Sequence, residues 1–75
     1  MKLKHIGSNQ TEVTTDKATV LFSYNTPVAA LVEGRGWVKT AQHYSKTTSA
    51  HINAWLPKSA NVEVVEQAEL NALTA

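Results

Sequence analysis

No cysteine occurs among the 75 residues of this chain, so whatever it folds into is held without disulfide staples, and thiolate catalysis and cysteine-based zinc sites are excluded together. A chain this short has room for one hydrophobic core only. Every large apolar residue is needed for it, and the usual supplement to so small a core is self-association. A homo-oligomer is therefore the expectation.

Seven basic residues nearly balance six acidic ones, which argues against a whole-molecule field that draws the protein onto nucleic acid or an anionic membrane. Any basic site is local. Glu63, Glu66 and Glu69 fall late, whereas Lys2, Lys4, Lys17, Arg35, Lys39 and Lys46 fall earlier, leaving a mildly basic first two-thirds. The start, Met1-Lys2-Leu3-Lys4-His5, runs into polar residues instead of a hydrophobic signal region. The longest apolar run, Val28 to Val32, is far too short to span a bilayer. The expected compartment is a bacterial cytoplasm, with no membrane partner.

β-branched and aromatic residues recur with period two through the first half and are broken by turn formers, the pattern of strands. Lys2 to Ile6 reads as a short strand, and Thr11–Thr14 with Thr19–Tyr24 as a hairpin around Asp16-Lys17. Alternation puts Val20, Phe22 and Tyr24 on one face and Leu21 and Ser23 on the other. Asn25-Thr26-Pro27 interrupts the pattern, because proline lacks the N–H of a ladder. Val28 to Val32 then reads as a strand covered on both faces, or on one face with an oligomer contact on the other, Glu33-Gly34-Arg35-Gly36 as a turn, and Trp37 to Thr40 as its partner.

From Tyr44 the period changes. Thr48, Ile52, Trp55 and Leu56 fall at i, i+4, i+7 and i+8, one face of a helix from near Thr47 to Leu56, which Pro57 ends. Val62 to Val65 reads as a last strand, before a helix from Gln67 to Leu73 with Glu66 as its cap and Val65 and Leu70 as a hydrophobic staple. The predicted class is α+β: a small antiparallel sheet of four to five strands packed with one central helix and a short C-terminal helix.

Hydroxyls, a lysine and a histidine are concentrated at the start of the central helix, in Tyr44-Ser45-Lys46-Thr47-Thr48-Ser49-Ala50-His51. A helix start presents unpaired N–H groups and partial positive charge, so phosphates and carboxylates bind there. Tyr44, Ser45, Lys46, Thr47, Thr48, Ser49 and His51 are the candidate ligand-binding residues. Capping of the helix is the commoner use of such hydroxyls. A lone histidine without a second ligand nearby is a poor metal site, and His51 reads better as a structural residue. No catalytic spacing, nucleophile elbow or phosphate loop is present, so no catalytic residue, cofactor or metal is expected, and the chain does not read as an enzyme. Trp37 and Trp55 read as core residues.

The strand Val20-Leu21-Phe22-Ser23-Tyr24 running into Thr26-Pro27-Val28-Ala29, followed by Tyr44-Ser45, Thr47-Thr48-Ser49, His51-Ile52 and Trp55-Leu56, resembles small proteins encoded by tailed bacteriophages. Proteins of that kind often carry basic residues where this chain has Ala50 and Ala54, which weakens a polynucleotide groove along the helix. The resemblance, the size and the missing catalytic signatures imply a phage accessory protein that sequesters a small anionic ligand, such as a nucleotide signal, in a pocket repeated in a homo-oligomer, and so interferes with host defence. The alternative is a module that binds nucleic acid or blocks a host protein.

Overall fold

A computed structural model describes residues 2–74. Six strands form one sheet in the order β1-β2-β3-β4-β5-β6, with β1 Lys2–Gly7, β2 Gln10–Thr14, β3 Ala18–Ser23, β4 Thr26–Val32, β5 Gly36–Thr40 and β6 Val62–Val65. Helix α1, Lys46–Trp55, connects β5 to β6, and α2, Gln67–Leu73, follows β6. The α+β class holds, with two corrections to the sheet: it has six strands, and β6 pairs with β5 in parallel while every other pair is antiparallel. The physical reason lies in α1. A helix between two strands carries the chain back to the end where it started, so the second strand must run the same way as the first.

The helices lie on opposite faces of the sheet. α1 brings Ile52 and Leu56 onto Leu21, Val28 and Ala29, flanked by Trp37, Trp55 and Val62. α2 brings Leu70 onto Ala18, Val20, Ala30, Val38 and Val65. β4 is thus covered on both faces through Val28, Ala29 and Ala30, whereas Leu31, later in the same apolar run, stays 39% exposed. At α2 the staple forms: Val65 and Leu70 share one buried cluster, and the Glu69 N–H donates to the Glu66 carbonyl at 3.0 Å.

The expected interruption at Asn25-Thr26-Pro27 is placed differently. The turn is Tyr24-Asn25, and β4 already begins at Thr26. Pro27 fits because the register shifts there: Phe22 faces Pro27 and Leu21 faces Ala29, leaving Val28 as the extra residue of a bulge. The bulge turns Val28 and Ala29 together towards α1, and a proline without an N–H is tolerated at such a point. Tyr24 closes β3: its φ of 57° bends the chain out of the strand, its N–H donates to the Asn9 carbonyl at 2.7 Å, and its side chain lines a cavity with Phe22, Thr11 and Val13 while its ring lies 6.2 Å from that of His51.

At the opposite end, Gly34 and Gly36 take φ of 79° and 97° in the β4–β5 turn, a conformation that disfavours a side chain. Arg35 at its tip holds Glu63 of β6 through two hydrogen bonds of 3.0 and 2.9 Å and Glu69 of α2 through one of 3.3 Å. Those bonds hold the Glu63 carboxyl below the usual carboxylate range. All three side chains are solvated, so they orient β6 and α2 more than they stabilise them.

Candidate functional site

The seven residues singled out at the start of α1 separate into three groups. Ser45 caps the helix: its Oγ accepts from the Thr48 N–H at 3.1 Å, and its carbonyl accepts from the Ser49 N–H at 3.0 Å. Thr48 is buried, and its Oγ1 lies 3.2 Å from Ser45 Oγ and 3.1 Å from Ser23 Oγ, which in turn lies 2.8 Å from His51 Nδ1. One direction of donation satisfies every member, from Ser45 to Thr48 to Ser23 to His51 Nδ1, with the ring proton on Nε2. Ser23 and Thr48 are buried, so this chain of hydroxyls ties α1 to the end of β3 through a middle that is closed to a ligand.

Tyr44 is engaged elsewhere. Its phenol donates to Gln67 Oε1 at 2.8 Å, as does the buried Thr40 Oγ1 at 2.8 Å, while Gln67 Nε2 donates to the Pro27 carbonyl at 2.7 Å and to Asn71 Oδ1 at 3.0 Å. Gln67 thereby uses its whole capacity of two donors and two accepting lone pairs. One side chain joins the β4 bulge, the end of β5, the segment before α1 and α2 itself. The loop between β5 and α1 is further fixed by the Gln42 N–H to Thr40 Oγ1 at 3.1 Å and the Ala41 N–H to the Val65 carbonyl at 2.8 Å. Lys46 and Thr47 project from the first turn of α1 into solvent.

Ser49, of these seven, lines a cleft. The cleft has a volume of about 320 Å³ and lies between α1 and the parallel β5–β6 pair, lined by Lys39, Gln42, His43, Ser49, Ile52 and Asn53 with Val64 at its far wall. It opens at the carboxyl end of β5, where the chain leaves for the helix, the place at which sheets of parallel strands offer a crevice. Strand alternation directs Lys39, two residues from Trp37, to the α1 side, and Asn53 sits one helical turn after Ser49. Ser49 Oγ is 3.5 Å from His43 Nδ1. Among the described residues Lys39 makes no ion pair, and no carboxylate lines the cleft. The arrangement offers an ammonium, an imidazole, a hydroxyl and amides to an acceptor-rich group, over a floor of Ile52 and Val64.

Lys39, Gln42, His43 and Asn53 were outside the residues that sequence reasoning selected. The signal for Lys39 was present, since a lysine in phase with Trp37 on a strand points towards the core-facing helix. That for Asn53 was its i+4 spacing from Ser49. Gln42 and His43 belong to a loop whose course depends on the Gln67 contacts. Among the described residues no three of His, Cys, Asp and Glu gather in a metal-binding group, and no helix is long and apolar enough to cross a membrane.

No curated protein and no solved structure matches the chain. Residues 1–72 match a family of unknown function, DUF8033, and with that coverage the chain belongs to it.

Proposed function

We propose that the protein binds a small anionic ligand, of which a nucleotide is the best fit, in the cleft between α1 and the β5–β6 pair, and that it acts by sequestration without chemistry. The observation that carries this reading is the lining itself: Lys39, His43, Ser49 and Asn53 converge on a cavity of about 320 Å³ with no carboxylate in it. Small-molecule sites begin at roughly that size, about 300 Å³, and combine an apolar floor with a few placed polar groups. A mononucleotide suits it, with phosphate at Lys39 and His43 and the base on Ile52 and Val64. Of the hydroxyl-rich segment, Ser49 contacts the ligand, and Tyr44, Ser45, Thr48 and His51 hold the frame that fixes the loop. Lys46 and Thr47 lie outside the cleft and contribute at most long-range charge.

The wider role follows the sequence resemblance: a phage accessory protein, not an enzyme, that withdraws a nucleotide signal in the host cytoplasm. Self-association belongs to the same proposal and is supported by the open edge at β1, where all six residues are exposed and Leu3 is 68% exposed. A nucleic-acid or host-protein contact is the competing reading and draws on the same exposed strand with Lys2 and Lys4.

Thermal unfolding with a panel of mononucleotides, cyclic nucleotides, ADP-ribose derivatives and short DNA tests the proposal. A ligand at a hundred times its Kd stabilises by about 2.7 kcal/mol, and each kcal/mol moves the Tm of so small a domain by about 4–8 °C. The expected result is a shift with a nucleotide that Lys39→Ala removes and Lys46→Ala retains. A shift that survives Lys39→Ala, or one seen only with long DNA and fading with salt, contradicts it.

A further inference from the structure

The cleft does not end at Asn53. A second cavity of about 340 Å³ adjoins it, sharing Lys39 and Asn53 and continuing past Leu56, Pro57, Lys58, Ala60 and Val62. Together the two form a groove that follows α1 from Ser49 to Leu56, about 10 Å at the helical rise of 1.5 Å per residue. His43 stands at one end, Lys39 in the middle and Lys58 at the other, and no acidic residue lines either part.

The parity of β6 maintains that charge pattern. Val62 and Val64 face the groove, whereas the intervening Glu63 points to the opposite face and is taken up by Arg35. The groove is therefore a row of three basic groups over an apolar floor of Ile52, Leu56, Val62 and Val64. A single phosphate leaves half of it unused. The length, the separation of the basic side chains and the floor between them fit a ligand with two anionic centres joined by something planar or apolar.

We infer that the groove takes a small ligand carrying two phosphate groups separated by a nucleoside, one phosphate at the His43 end, the other at Lys58, with Lys39 between them. This rests on the proposed anion cleft and adds its second half. Lys58, just after the helix-ending Pro57, is then the residue that distinguishes a two-phosphate ligand from a mononucleotide.

Isothermal titration of the full chain with AMP and with the 5′-phosphorylated dinucleotide pApA separates the two levels of the proposal. A contact with an exposed lysine is screened by solvent, so pApA is expected to bind about threefold to fivefold more tightly than AMP. Lys58→Ala abolishes that advantage while leaving AMP affinity unchanged, and Lys17→Ala, in the β2–β3 turn away from the groove, changes neither. Equal affinity for AMP and pApA, or an equal loss for both in Lys58→Ala, overturns the two-phosphate inference and leaves the anion cleft standing. Tighter binding of a fifteen-nucleotide strand than of pApA, with a steep salt dependence, overturns the small ligand in favour of a polynucleotide track. Failure of both AMP and pApA to bind overturns the inference and the cleft together.

Discussion

Leu21→Ala is expected to leave the chain largely unfolded at 25 °C. Leu21 is fully buried at the centre of the α1 face, where Val28, Ala29, Ile52 and Leu56 meet it. Truncating a buried leucine costs about 2–5 kcal/mol from lost transfer energy and the cavity left behind. A single core in a chain of this size supplies only about 3–5 kcal/mol, so the loss is comparable to the whole margin. Leu31→Ala provides the contrast: Leu31 is 39% exposed on the neighbouring strand and its truncation should cost well under half as much. Urea denaturation followed by circular dichroism checks both, with a much reduced or missing transition for the first variant and a small displacement for the second.

Gln67→Ala is expected to lower both stability and ligand affinity, although Gln67 does not line the cleft. Its removal takes the partners of Thr40 Oγ1, the Tyr44 phenol and the Pro27 carbonyl at once. Thr40 and Pro27 are buried, and leaving a buried polar group unpaired costs about 1–3 kcal/mol. The loop carrying Gln42 and His43 is anchored by the same contacts, so it becomes mobile and must be ordered again when ligand binds. Tyr44→Phe removes one bond at the solvated end of that network and is expected to cost about 0.5–1.5 kcal/mol with a smaller loss of affinity. Paired denaturation and titration of the two variants check this. An affinity unchanged in Gln67→Ala at temperatures where it is fully folded contradicts the coupling between network and cleft.

The strands were legible wherever side-chain period and turn chemistry agreed. Thr19 to Ser23 alternates, the Gly34-Arg35-Gly36 turn has its positive φ values, and α1 shows its apolar face through Thr48, Ile52 and Leu56. Val65 and Leu70 announced the second helix even though the Glu66 side chain makes no capping bond. Two features depended on contacts between distant segments. The parallel placement of β6 follows from how α1 packs back on the sheet, and the bulge at Val28 follows from the need to cover β4 on both faces with a proline in the strand.

The site was legible in kind more than in membership. A run of hydroxyls at a helix start marks a place where backbone N–H groups need partners, and in this fold most of those hydroxyls satisfy the protein itself. Ser45 and Thr48 bond within the helix start and to Ser23, and Ser23 to His51, a pairing across 28 residues of sequence. The cleft residues come from β5, the following loop and the outer flank of α1, three places that adjoin only once the parallel pair is formed. Composition was no guide to them, since a nearly neutral chain gives no hint that Arg35 draws Glu63 and Glu69 to the α2 side of β6.

A titration of ¹⁵N-labelled protein with AMP, followed by amide chemical shifts, locates the bound nucleotide directly. The predicted result is a set of saturable shifts at Lys39, Ala41, Gln42, His43, Ser49 and Asn53, with little change at Lys46 and Thr47. Shifts centred on Lys46 and Thr47, shifts on the exposed strand β1, or no saturable shift at millimolar AMP would contradict it.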